Sequence, residues 1–301
     1  MSTDNRIPVI LDTDIGDDID DTWALVMMLK SPELDVKLVV GDYGKPTYRA
    51  TLLAKLLEVA GRTDVPVGIG GGEDKGDGRQ SAWIKGYALS AYPGTVHEDG
   101  IGAMIDTIMT SPRPITLVCI GPAPNIATAL EREPRIAQRA WFVGMHGSVR
   151  RGYGGSQEIS AEWNVRANPQ ACRKVFTAPW EMTITPLDTC GLVHLRGEKY
   201  RAVRDCSDPV TQALIENYRA WCGSEPDRAD KASSTLFDTV AVYLAFSQEL
   251  LVMEQLGLRV TDDGHTVIDE KAKRINCAMA WKNLAAFEDL LVQRLTTPRL
   301  N

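Results

Sequence analysis

The stretch "LDTDIGDDIDDTWAL", residues 11–25, carries six aspartates between Asp12 and Asp21. They follow the apolar run Ile7-Pro8-Val9-Ile10-Leu11, so the carboxylates gather where a strand-like segment ends and a helix-like one begins. Anions held that close repel one another and lose hydration unless a positive charge sits among them. Hard oxygen ligands from one loop suit Ca²⁺ or Mg²⁺ rather than zinc or copper. An EF-hand register fails: counted from Asp12, the sixth position is Asp17 and the twelfth is Trp23, where that loop needs glycine and glutamate. An aspartyl-phosphate site also opens Asp-x-Asp, as Asp12 and Asp14 do, but carries Thr or Val where this chain has Gly16. A solvated acidic helix start, favoured by the helix dipole, accounts for two or three aspartates and leaves the others unexplained.

Apolar runs at 7–11, 36–40, 65–69, 115–120, 140–144 and 181–187 read as strands. Helical patterns near 20–30, 47–60, 99–110, 123–132, 168–176 and 209–222 alternate with them. Repeated strand–helix units predict an α/β fold, an open, mostly parallel (Rossmann-like) sheet flanked by helices. Several runs are continuous rather than alternating, as in strands covered on both faces. Short β-like pieces at 258–261, 265–268 and 274–280, then a helix over 283–295, predict a small antiparallel C-terminal extension of one domain spanning 1–301. Sites in parallel sheets lie beyond the carboxyl ends of strands, where the aspartates fall. The glycine-rich stretches 68–72 and 152–155 are placed to border such a site.

With 44% hydrophobic and 24% charged residues, 301 residues support a large core. A net charge of −7 disfavours nucleic acid or an anionic membrane as partner and favours a small molecule. The segment 1–6 lacks the apolar core of a signal sequence, and no apolar run is long enough to span a bilayer, so a cytoplasmic chain is expected. Six cysteines fall singly, which indicates neither a zinc site nor a disulfide framework.

Asp12-Thr13-Asp14-Ile15-Gly16, followed by Asp20-Asp21-x-x-Ala24-Leu25, resembles the signature of the inosine-uridine preferring nucleoside hydrolase family. Further matches run in order: "VVGDYG" at 39–44, "PVGIGG" at 66–71, "GPAPNIATAL" at 121–130, "AEWNVRANPQA" at 161–171, "PLDTC" at 186–190 and "LFDTVAVYLA" at 236–245. The resemblance implies a Ca²⁺-dependent enzyme that hydrolyses the N-glycosidic bond of ribonucleosides, commonly a dimer or tetramer. By position it implies Asp14, Asp21 and Asp238 as carboxylate ligands, with the backbone carbonyl of Ile120 beside them. Asp20 resembles the base that deprotonates the attacking water. This chain has two more residues than the shorter family motif between Gly16 and the aspartate pair, so Asp18 competes for that role. Asp20 is preferred because Asp-Asp-x-x-Ala-Leu runs into the helix without a gap. Glu162 and Asn164 resemble ribose-binding residues, with a helix cap or turn as the alternative for Asn164, and Asp188 is expected to hydrogen-bond behind the site or at a strand end rather than to touch substrate. Carboxylates beside the sugar would stabilise the cationic ribosyl group that forms as the base departs.

The chain departs from the family pattern at Asp42 and Ser156, where many relatives carry asparagine near the sugar. Phe237 stands where the pyrimidine-cleaving branch carries histidine, a candidate acid for the leaving base. Two routes to leaving-group activation follow. Stacking by Phe237, Trp83, Trp163 and Trp221 would favour purines, each tryptophan having ordinary packing as its alternative. His97 is the second route, as a proton donor, with a structural or capping role as its alternative. The expectation is a purine-preferring hydrolase. A nucleoside or ribose sensor, or a hydrolase of another N-ribosyl compound, are the competing readings.

Overall fold

The computed structural model describes residues 5–298, so residues 1–4 of the segment read for a signal, and 299–301, lie outside the described residues. Ten strands form one sheet: β1 (Ile7–Thr13), β2 (Leu34–Gly41), β3 (Val67–Gly68), β4 (Val96–His97), β5 (Ile115–Cys119), β6 (Ala140–Met145), β7 (Met182–Thr185), β8 (Leu251–Val260), β9 (Thr266–Ile268) and β10 (Arg274–Trp281). Their order is β4-β3-β2-β1-β5-β6-β7-β10-β8-β9. Neighbours from β4 to β10 pair parallel, and β8 and β9 close the far edge antiparallel. The expected sheet class holds, and the C-terminal strands continue the main sheet, because β10 pairs with β7.

Helices cover both faces: α1 (Asp20–Leu29), α2 (Pro46–Val59), α3 (Gly100–Thr110), α4 (Pro124–Arg132), α5 (Trp163–Ala167), α6 (Pro169–Thr177), α7 (Leu187–Cys190), α8 (Gly197–Arg204), α9 (Pro209–Cys222), α10 (Thr239–Leu244) and α11 (Leu284–Thr296). Along β1, Val9 and Leu11 enter one apolar cluster while Ile10 enters the other, the alternation that a two-sided sheet imposes. The strand runs on through Asp12 and Thr13, so its apolar stem anchors a polar end. β7 stops at Thr185, short of the run read to 187, because Pro186 has no N–H for a ladder.

Two helices matter most for the site. All ten residues of α1 and all six of α10 are buried, and the two pack on each other. Asp20 and Asp21 open α1, and Asp238 immediately precedes α10. Strand order reverses at β1, since the chain moves outward to β2, β3 and β4 and returns to lay β5 on the other side. Crevices at such reversals, beyond the carboxyl ends of the strands, are where open α/β sheets bind ligands.

Candidate active site

Beyond β1 the chain must turn sharply while carrying its aspartates. Thr13 Oγ1 accepts from the Ile15 N–H at 3.1 Å and donates to Asp21, tying the strand end to α1. Gly16 sits at φ +114°, and a Cβ there would lie 2.4 Å from the Tyr48 ring. Arg49, buried on α2, donates to the carbonyls of Asp14, Ile15 and Tyr43 and to the Asp17 carboxylate at 2.9 Å. Lys45 reaches Asp17 at 2.5 Å, and these cations hold its pKa below the usual range despite partial burial. The Trp221 indole N–H bonds the Asp17 carbonyl at 2.9 Å. Arg49→Met strands these buried acceptors and is expected to cost about 3–5 kcal/mol in denaturant unfolding. A loss under about 1 kcal/mol would show that the loop holds without it.

Carboxylate oxygens of Asp20, Asp21 and Asp238 lie within 4.8 Å of one another. The Asp238 N–H donates to Asp20 Oδ2 at 3.3 Å across 218 positions of sequence. Burial, reinforced by neighbouring carboxylates, pushes all three pKa values well above the ordinary one. Asp14 lines the same cleft, lifted by burial to about 6 although Arg49 opposes the shift. Among the described residues, no lysine or arginine forms an ion pair with these four; Lys45 and Arg49 pair with Asp17. A buried, all-oxygen set without a protein cation fits a hard divalent cation, with Asp14, Asp20, Asp21, Asp238 and the Ile120 carbonyl able to hold it.

The facing wall comes from the ends of β5 and β6. Asn164 Nδ2 donates to the carbonyls of Ile120 at 3.2 Å and Met145 at 3.0 Å, bridging the two strand ends. A carbonyl has two lone pairs, so Ile120 retains one for another partner. Glu162 caps α5, accepting from Asn164 N at 2.7 Å, Val165 N at 3.3 Å and Gly147 N at 2.9 Å. Burial outweighs these bonds and lifts its pKa to about 7. A carboxyl whose folded pKa exceeds its unfolded value near 4.5 binds its proton more tightly when folded. Its stabilisation is therefore present in acid and is lost as pH rises from about 4.5 through 7. The cation-free protein is expected to melt lower across that window, and Glu162→Gln to flatten part of the fall in calorimetry. An unchanged slope in the variant would contradict this. Asp188 accepts from Val149 N at 2.9 Å and Arg150 N at 2.8 Å, fastening the loop after β6.

The cleft so formed is lined by Asp14, Asp17, Asp18, Asp20, Asp21, Ile120, Met145, Tyr153, Glu162, Trp163, Asn164, Phe237 and Asp238. Asp18 accepts from the Ile19 N–H at 2.7 Å. Tyr153, which the motifs did not single out, meets Phe237 edge-on at 6.1 Å. Larger hollows elsewhere, such as that between Lys55 and Glu216, contain no such cluster of carboxylates.

Five expected site residues lie outside the cleft. Asp42 is buried beneath it, accepting from the N–H groups of Ala123 at 2.9 Å and Asn125 at 3.2 Å, which caps the turn into α4. Its burial raises its pKa to about 7. Ser156 is exposed and bonds the Glu158 N–H at 3.1 Å. Trp83 packs in the α2–α9 hollow, with Lys55 Nζ 4.4 Å from its ring. Trp221 lies behind the acidic loop, with Arg79 3.8 Å from its ring. His97 is on edge strand β4, paired with Gly68 of β3. Arg49 and Tyr153 are the residues that sequence reasoning missed. A buried arginine is hidden in an otherwise ordinary helix, and the one available signal for Tyr153 was its place in the second glycine-rich stretch.

The family model for inosine-uridine preferring nucleoside hydrolases matches residues 9–293, nearly the whole described chain. The chain belongs to that family. A pyrimidine-specific ribonucleoside hydrolase RihA from Salmonella arizonae is 30% identical over 96% of this chain and 98% of its own. The homologous RihA of Citrobacter koseri is 31% identical over 70% of this chain and 69% of its own. A plant nucleoside hydrolase superposes with a TM-score of 0.80 at 24% identity, over 97% of this chain and 99% of that one. A purine-preferring ribonucleoside hydrolase from Gardnerella vaginalis gives 0.77 at 21%, over 96% and 98%. These two share the fold. This nucleoside hydrolase is thus a ribonucleoside N-ribohydrolase, which displaces the sensor reading. Among the described residues, no helix is long and apolar enough to cross a membrane.

Proposed function

We propose that the cleft hydrolyses the N-glycosidic bond of ribonucleosides with Ca²⁺ held by Asp20, Asp21, Asp238 and the Ile120 carbonyl. The observation that carries this reading is the convergence of buried carboxylates from α1 and α10 on a cleft shared with Glu162. When bound, the cation supplies polarisation of an attacking water and an anchor for ribose hydroxyls. Asp20 was the expected base. Its carboxylate lies within the tight trio, however, and one of its oxygens accepts the Asp238 N–H. Asp14 stands outside the trio but lines the same cleft, and its charge raises the pKa of Asp20, Asp21, Asp238 and Glu162 alike. That placement favours Asp14 as the base and Asp20 as a ligand, with Asp18 at the rim. The C1′–N bond breaks with its electron pair passing to the base. Water oxygen bonds to C1′, and the released proton passes to Asp14. Glu162 faces the developing ribosyl cation, and Asn164 orients the ribose.

Uridine and cytidine are proposed as better substrates than purine nucleosides, reversing the expectation from sequence. Of the four aromatic residues expected to stack on a purine, Trp83 and Trp221 lie outside the cleft and only Trp163 and Phe237 line it. The pyrimidine-specific relatives point the same way. Reducing-sugar release from a panel of nucleosides tests both parts. Faster turnover of inosine than uridine restores the purine reading, and turnover of neither sinks the hydrolase reading for these substrates and favours another N-ribosyl compound. A homo-oligomer is proposed on the family resemblance, and a single cytoplasmic domain on the sequence pattern; light scattering of the purified protein reads the number of chains.

A further inference from the structure

A nucleobase leaves readily only if the electron pair it takes from C1′ is stabilised. All four histidines lie among the described residues, and none lines the cleft. His146 is buried behind it, Nε2 at 3.1 Å from the Gly121 carbonyl, and burial lowers its pKa to about 4, leaving a neutral ring. His194 faces Thr235, His265 pairs with Asp263, and His97 lies on β4. The Asn164 amide nitrogen is committed to two carbonyls, which leaves its oxygen to accept from the ribose but no proton for a leaving base. Trp163, 45% exposed, carries Arg166 5.3 Å from its ring, and its indole N–H makes no bond among the described residues that would aim it at a leaving base.

Tyr153 differs from all of these. Its hydroxyl oxygen accepts the Trp163 N–H at 2.8 Å. A phenol has one proton and two lone pairs, so this bond fixes the oxygen while leaving its proton to give. The ring stands edge-on to Phe237 at 6.1 Å and 87°, which defines one wall of the cleft. Ser148 Oγ ties the surrounding loop by donating to the Arg151 carbonyl at 2.6 Å and accepting from Ser160 N at 2.9 Å. Gly154 and Gly155, both at positive φ, make the turn that presents the ring.

We propose that the Tyr153 hydroxyl is the specificity-determining donor to the leaving base, bonding the 2-oxo group of a pyrimidine as the C1′–N bond breaks. This rests on the N-ribohydrolase reading above. The phenol donates without losing its proton: partial desolvation of a ring that remains 43% exposed, and then the Glu162 carboxylate, hold its pKa above the usual phenol range. The electron pair goes to the pyrimidine N1, its negative charge spreads onto the 2-oxo oxygen, and N1 takes its proton from water after release. A preorganised donor of this kind acts on charge that appears only toward the transition state.

Tyr153→Phe, with its melting temperature checked, is compared with wild type on uridine and on p-nitrophenyl riboside, whose leaving group needs no such help. The kcat ratio of uridine to p-nitrophenyl riboside is expected to fall about 10- to 100-fold, with KM for uridine changed far less. An equal fall on both substrates would show that the hydroxyl only holds the Trp163 segment, and overturns the inference. Wild-type protein that cleaves p-nitrophenyl riboside but no pyrimidine nucleoside also overturns it, whereas cleavage of neither compound fails the N-ribohydrolase reading first.

Discussion

Stripping divalent cations with a chelator is expected to cut reducing-sugar release by about three orders of magnitude or more, with Ca²⁺ restoring it. The size follows from the several kcal/mol that a bound cation contributes to stabilising transition-state charge, at about 1.4 kcal/mol per tenfold. Stability should move with it. A cation at about one hundred times its Kd adds about 2.7 kcal/mol, which for a chain of this length is a melting shift of about 4 °C. Asp21→Ala is expected to reproduce both losses and to be insensitive to added Ca²⁺ near that concentration, because it removes a carboxylate from the trio whose oxygens lie within 4.8 Å. Full activity in chelator, verified by metal analysis, would show that the clustered carboxylates serve some other end.

The second large effect separates base from ligand. Asp14→Asn is expected to lower kcat by about two to four orders of magnitude, the range for general-base help, while nucleoside binding persists. Asp20→Asn should instead act chiefly through weakened cation affinity, seen as activity partly recovered at high Ca²⁺. If Asp20→Asn loses kcat at saturating Ca²⁺ and Asp14→Asn recovers with the metal, the two roles are exchanged. If Asp18→Asn alone shows the kcat loss, Asp18 is the base and neither Asp14 nor Asp20 fills that role.

The two halves of this site were not equally legible. The Asp12–Asp21 cluster is local in sequence, and its density alone asked for a cation. Asp238 lies 218 positions from Asp20, and only the family resemblance joined them before α1 and α10 were seen to pack together. Those helices are buried on every side, so their apolar residues lack the 3.6-residue alternation that marks a half-exposed helix, and α10 with its six residues went unread. Strand β3 falls inside the run read at 65–69, whereas β4, also two residues long, is too short for any pattern. Four aromatic residues looked equivalent as stacking partners because composition does not say which side of a loop a ring occupies. The structure sets Trp221 behind the acidic loop and Trp83 between α2 and α9. Arg49 was illegible for the opposite reason: arginine on a helix usually faces water, and here its five donors are spent on the turn that aims the aspartates.

The most direct test of the central claim is a crystal structure of the protein grown with Ca²⁺ and ribose. One cation is expected, touched by Asp20, Asp21, Asp238 and the Ile120 carbonyl, with Asp14 and Glu162 facing opposite sides of the sugar at C1′. A sugar bound elsewhere, or a cleft that stays free of metal at millimolar Ca²⁺ while the enzyme is active, would contradict it.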